Sequence, residues 1–219
     1  MEQAAVPPAP LYDRGLALIP DCTSTLSKAA IRFVQCVYPK LFVSAMGCRF
    51  FGDDGNEYID SVGALGPILL GYRYSAVDEA VIRQIQESGM VFSLPHALEV
   101  EVAELIREMN PPVEMMRFAK NGSDATQAAV RLARAYSGKM GVAISRPGYH
   151  GFSDWFGIGE PLNAGIPPAL GKHLHSFQFN DLASLEVLIN DQPDLGVVIM
   201  EQGLDDPLPG FYDGVRMLC

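Results

Sequence analysis

Between residues 75 and 88, Val77, Val81 and Ile85 recur every four positions. That spacing predicts a helix with one apolar stripe, and Ser75 is placed to cap its start. A second stripe, Val102, Ile106 and Met109, predicts a helix over 99–109, which Pro111-Pro112 ends. Beyond it the period alternates between strand and helix. Strands are expected at 114–119, 141–145, 175–179 and 195–200, the last being the most apolar run of the chain, LGVVIM. Helices are expected at 123–136, with Ala125, Ala129, Leu132, Ala133 and Tyr136 inward, and at 181–190, with Leu182, Leu185 and Ile189 inward. Upstream, Cys48-Arg49-Phe50-Phe51 and Glu57-Tyr58-Ile59-Asp60 flank Asp53-Asp54-Gly55-Asn56 and predict a β-hairpin. The acidic turn lacks the ligand spacing and distant Glu of a calcium loop, so a plain turn is expected. The alternating part predicts an α/β fold, a mostly parallel sheet with helices on both faces. The expected organisation is a flexible terminus over 1–15, a small subdomain with the hairpin over 16–75, and part of a large domain over 76–219. The Gly- and Pro-rich stretch 152–172 is expected to be a long loop at the edge of a ligand crevice.

Charge and cysteine usage narrow the partners. The chain has 219 residues and a formal net charge of -10. This argues against nucleic acid and anionic membrane, though not against a small phosphorylated ligand, because backbone amides hold phosphate without net positive charge. Cys22, Cys36, Cys48 and Cys219 form no CxxC pair, so no metal site is expected, and scattered thiols in a chain of this size suit a cytoplasmic protein. Residues 1–10, with Pro7, Pro8 and Pro10, read as a frayed terminus rather than a signal peptide. The apolar run at Ile68-Leu69-Leu70 is too short to span a bilayer.

Three segments carry candidate chemistry. Asn121-Gly122-Ser123-Asp124-Ala125 lies between a predicted strand and a helix start. Glycine there permits close backbone approach, and the helix end offers free N–H groups and positive dipole, together a phosphate cradle. Taken alone, a helix start capped by Ser123 or Asp124 accounts for the same residues without a ligand. Tyr149-His150-Gly151 follows the predicted strand 141–145; the tyrosine could stack on a flat heteroaromatic ring with His150 bonding beside it, or simply pack. Glu201 ends the strand LGVVIM, at a crevice or facing water. All three sit at carboxyl ends of predicted strands, where open α/β sheets collect ligands. GxGxxG, GxxxxGK[ST] and GxSxG motifs are absent.

Asn121-Gly122-Ser123-Asp124-Ala125 leading into Ala129-Val130-Arg131-Leu132-Ala133-Arg134-Ala135-Tyr136, then Tyr149-His150-Gly151, resembles the class III aminotransferases, nearest the glutamate-1-semialdehyde aminomutase branch. Residues 55–60 and Gly66-Pro67 through Gly71 are in the same style, so the resemblance runs from about Leu16 onward. It implies a pyridoxal 5'-phosphate (PLP) transferase fold and a homodimer, with amine or amino acid and carbonyl compounds as substrates. Gly122 and Ser123 would bind the cofactor phosphate, Tyr149 would stack on the pyridine ring with His150 beside it, and Glu201 would lie close to the cofactor. The family usually has proline after that glutamate, whereas this chain has Gln202. Lys28 falls where the aminomutases carry a substrate-binding arginine, and Leu65 where they carry a tryptophan near the substrate. Lysine lacks the bidentate fork of arginine, which favours ordinary transamination over the aminomutase reaction.

The resemblance also implies a Schiff-base lysine and an aspartate beside the pyridine nitrogen, both after the strand ending at Glu201. Neither is expected within this chain. Its lysines are Lys28, Lys40, Lys120, Lys139 and Lys172, of which only Lys120 adjoins the cradle, where a surface or phosphate-facing role suits it. The chain is therefore expected to be an N-terminal fragment of an aminotransferase, inactive on its own. The alternatives are a non-catalytic remnant of the fold or partner subunit, a glutamate-1-semialdehyde 2,1-aminomutase, or an unrelated α/β binding protein.

Overall fold

The computed structural model describes residues 10–157, 164–202 and 205–219. The frayed terminus expected over 1–10 thus lies almost wholly outside the described residues, as does part of the 152–172 loop. The chain forms two compact units, one up to Glu99 and one from Val100.

In the first unit, after helix α1 (Leu11–Leu16), an antiparallel sheet has the order β1 (Phe42–Met46), β2 (Arg49–Gly52), β3 (Glu57–Ile59). The predicted hairpin is β2–β3, and β1, which the pattern did not single out, pairs on its other side. Phe50 is fully buried between the rings of Phe42 (3.8 Å) and Tyr58 (5.2 Å). The acidic residues hold the turns: Asp53 Oδ1 accepts from Lys40 N and Leu41 N, and Asp54 accepts from Asn56 N and Tyr58 OH. Helix α2 (Ser75–Glu87) follows, with Tyr74 at its N-cap, so Ser75 is a first-turn residue rather than the cap. Helix α3 spans Ala97–Met109, mostly within the second unit, beginning two residues earlier than expected. Neither α2 nor α3 has a buried residue.

The second unit is built on three parallel strands. Helix α4 (Gly122–Ser137) leads into β4 (Gly141–Arg146), and then come the short helix α5 (Asp154–Gly157), β5 (Leu174–Gln178), α6 (Leu182–Asp191), β6 (Leu195–Ile199) and α7 (Phe211–Leu218). The strand order is β5–β4–β6, parallel throughout. β4 is central, which explains why Gly141 through Ser145 are all buried. Successive side chains of a strand point to opposite faces, and the core divides accordingly. Val142 and Ile144 pack with Val130 of α4 and Phe156 of α5; Ala143 packs with Phe177, Leu185, Leu195, Phe211 and Val215, under α6 and α7. The expected parallel sheet with helices on both faces is therefore present. Among the described residues, no helix is long and apolar enough to cross a membrane.

Two expectations need correction. Residues 114–119 form no strand: a strand needs a paired neighbour to satisfy its backbone groups, and neither β5 nor β6 pairs with this segment. Met115 stays 91 % exposed. In α4 the buried stripe is rotated. Val130 is buried and Thr126, Gln127, Ala133 and Arg134 are half-buried, whereas Ala125, Ala129, Leu132 and Tyr136 are exposed. A helix with small apolar residues on two faces offers both to a core, and here β4 and β6 take the face centred on Val130.

Candidate functional site

The start of α4 is set by Asn121. Its backbone is extended (φ −150°, ψ 172°), its Oδ1 accepts the Asp124 N–H at 2.9 Å, and its Nδ2 donates to Asp124 Oδ2 at 3.0 Å. Its carbonyl accepts the Ala125 N–H at 3.2 Å. The N-cap is thus Asn121, not Ser123 or Asp124; asparagine caps well because its side-chain oxygen replaces the missing carbonyl of the preceding turn. The cap uses the amides of Asp124 and Ala125. Among the described residues, those of Gly122 and Ser123 have no acceptor. A side chain built on Gly122 would meet nothing within 4 Å.

A loop after β4 reaches back to this helix end and is held along its backbone. Glu201 Oε2 accepts the Tyr149 N–H at 2.6 Å; Thr126 Oγ1 donates to the His150 carbonyl at 2.8 Å; Ser123 Oγ accepts the Phe152 N–H at 2.9 Å. Gly151 has φ +109°, which disfavours a side chain, and a Cβ there would lie 2.7 Å from Ser123 Oγ. Tyr149 and His150 differ in burial: the tyrosine is 71 % exposed, and the histidine is 5 % exposed with its ring tilted against Phe156 at 5.4 Å. Burial pushes the His150 pKa down and Arg146 adds to this, against the opposing influence of a Ser145 backbone hydrogen bond and the Glu201 charge. The neutral ring is therefore favoured over the charged one. Its Nε2 and the hydroxyl of Ser145 are buried without a partner among the described residues.

The structure thus brings Ser123, Tyr149, His150 and Glu201 into one hydrogen-bonded assembly, with Gly122 next to it. Lys28 and Leu65 belong to the first unit. Lys28 ends the exposed 3-10 turn Leu26–Lys28, and Leu65 ends the turn Gly63–Leu65 with φ +71° and an exposed side chain. Thr126 was not among the sequence candidates. Its position three residues after Ser123, on the same helix face, was the available signal. An apolar cavity of about 510 Å³ in the first unit, lined by Val81, Ile85, Met90 and Phe92 among others, does not include these residues.

Chemically, the helix end offers two backbone donors and a positive dipole to an anion. The Ser123 hydroxyl, already accepting from Phe152, retains its own hydrogen to donate. Tyr149 offers an aromatic face on a fixed backbone. A planar ring carrying a phosphate fits this set of groups.

The family profile described as Aminotransferase class-III matches residues 35–156, a span that includes Gly122, Ser123, Tyr149 and His150. The chain is 38% identical over 217 residues to the 3-aminobutyryl-CoA aminotransferase of Cloacimonas acidaminovorans (strain Evry), covering 95% of this chain and 51% of that protein. It is 35% identical over 196 residues to the glutamate-1-semialdehyde 2,1-aminomutase of Syntrophobacter fumaroxidans, covering 83% and 45%. Among solved structures it is similar to an omega-transaminase from Sphaerobacter thermophilus, with TM-score 0.85 and 26% identity over 99% of this chain and 53% of that one. A transaminase with PLP bound gives TM-score 0.82 and 27% identity over 95% and 51%. The chain spans about half the length of the relatives it matches.

Proposed function

This chain belongs to the class III aminotransferase family, and we propose that it supplies the phosphate cradle and the ring-stacking face for PLP in an enzyme that transfers an amino group between an amine or amino acid and a carbonyl acceptor. The observation that carries the reading is the bond from the Phe152 N–H to Ser123 Oγ, which ties the loop bearing the exposed Tyr149 to the start of α4; it supports a site shared by the two. PLP, when bound, supplies an electron sink for chemistry at the substrate's amine-bearing carbon. In this reading the amides of Gly122 and Ser123 and the Ser123 hydroxyl hold the phosphate. Tyr149 covers the ring, His150 supports the tyrosine from the buried side, and Glu201 closes the site from the end of β6. Lys28 and Leu65 are assigned to the substrate end. No residue of this chain is assigned a covalent role.

A cytoplasmic homodimer is part of the proposal, drawn from the reduced thiols and the family resemblance. The likeness to an aminomutase keeps isomerisation of glutamate 1-semialdehyde as the second reading; lysine rather than arginine at position 28 favours transamination. The test is an absorbance titration of the full-length protein with PLP. Tyr149→Ala should weaken binding about 2- to 12-fold, the range for a lost aromatic stack. Ser123→Asp should weaken it more than about tenfold by setting a negative charge against the phosphate. Unchanged affinity in both variants would sink the reading.

A further inference from the structure

We propose that Thr126 and Glu201 are positioning residues for Tyr149, acting through the backbone of its loop rather than by touching the cofactor. The inference rests on the stacking role given to Tyr149 above.

The loop backbone is gripped at three successive points. Glu201, half-buried at the end of β6, accepts the amide of Tyr149 itself at 2.6 Å. A carboxylate accepting a backbone N–H makes a stronger bond than a neutral acceptor. Thr126 donates to the His150 carbonyl at 2.8 Å, from the first full turn of the helix whose N-terminus forms the phosphate cradle. Its hydroxyl also lies 3.2 Å from the Ser123 carbonyl, the longer of the two acceptors that share its one hydrogen. Ser123 completes the grip through the Phe152 amide. Between these bonds the buried His150 ring anchors the loop by packing on Phe156. Tyr149 is 71 % exposed on a loop, and loops are ordinarily more mobile than the elements they join. Here the backbone is tied on both sides while the ring is left open, so the entropy of ordering the stacking face is lost on folding rather than on binding. The same bonds tie the loop after β4 to the end of β6 and to α4, and would keep the backbone of Tyr149 beside the cradle.

A double-mutant cycle on PLP affinity tests this in the full-length protein, since residues that act through Tyr149 lose their effect once its ring is gone. Thr126→Val should weaken PLP binding about fivefold, and Glu201→Leu more than about tenfold. In a Tyr149→Ala background each should change affinity less than about twofold. Thr126→Ser, which restores the hydroxyl, should return the affinity. Hydrogen exchange in the cofactor-free protein supplies a readout independent of the cofactor and of variants that fold poorly. The Tyr149 and Phe152 amides should be protected in the wild type, and Thr126→Val and Glu201→Gln should raise exchange in 149–152 without changing it in β5. Full additivity of the Thr126 and Glu201 effects with Tyr149→Ala overturns the inference while leaving the stacking role intact, as do unprotected wild-type amides at 149 and 152. If Tyr149→Ala alone leaves PLP affinity unchanged, the stacking role and this inference fall together.

Discussion

His150 shows how one residue's burial becomes a property of the whole fold. Its pKa lies below the ordinary histidine value because burial penalises the charged ring. In the unfolded chain the ring protonates near pH 6.5. Below that pH the unfolded state binds a proton that the folded state refuses, so stability falls as the solution is acidified. Above it both states are neutral and the linkage vanishes. His150→Gln should therefore flatten the dependence of melting temperature on pH below about 6.5, even if it lowers the melting temperature at pH 7.5. An acid limb equally steep in the variant would show that the ring titrates normally in the folded protein. The YHG motif made His150 visible in the sequence, but not its burial: the histidine is 5 % exposed while its neighbour Tyr149 is 71 % exposed.

At the scale of elements, the loop after β4 depends on a residue with no side chain. Gly151 sits at φ +109°, and a Cβ would be 2.7 Å from Ser123 Oγ and 3.0 Å from Ser123 Cα. The Cα belongs to the helix backbone and cannot move aside. Gly151→Ala should therefore cost about 1–3 kcal/mol of stability and weaken PLP binding as well, because the displaced atom is the hydroxyl of the cradle. Chemical denaturation and an absorbance titration measure the two effects, and a variant normal in both would show that the loop can relax without loss. The elements themselves were legible to different degrees. β4, β5, β6 and α6 fall within one or two residues of their predicted bounds, since short apolar runs between turn residues leave few alternatives. In α4 the periodicity gave the helix but not the buried stripe, because alanine at several phases lets more than one face pass as apolar. The segment 114–119 has strand composition, and only the presence of a paired neighbour would make it a strand.

For the molecule as a whole, the exposed faces of α2 and α3 matter most. Val81, Ile82 and Ile85 of α2 and Val102 and Leu105 of α3 are each more than 40 % exposed. Exposed apolar side chains in such numbers drive association in water. These 219 residues expressed alone should aggregate or self-associate, as measured by light scattering and by binding of a hydrophobic dye. A monodisperse monomer with one cooperative melt would contradict this. The net charge of -10 opposes association only at long range and is screened by salt, so raising the ionic strength should worsen the aggregation.

What the sequence determined by itself was local or topological. Apolar spacing set the helices and strands, their alternation set a parallel sheet, and a parallel sheet puts the motifs that follow its strands at one edge. The proximity of Tyr149 and Glu201 was therefore readable before any coordinates, together with the chemistry that their residue types allow; Ser123 was joined to them only through a strand over 114–119 that does not form. Only the tertiary structure decided who bonds to whom. The order β5–β4–β6 sets Glu201 beside the loop after β4. The rotation of α4 puts Thr126 under His150, and the conformation of Gly151 lets the loop close on Ser123. Such contacts join residues 24 to 52 positions apart. Local pattern cannot specify them, because each depends on side chains brought together by the packing of the sheet.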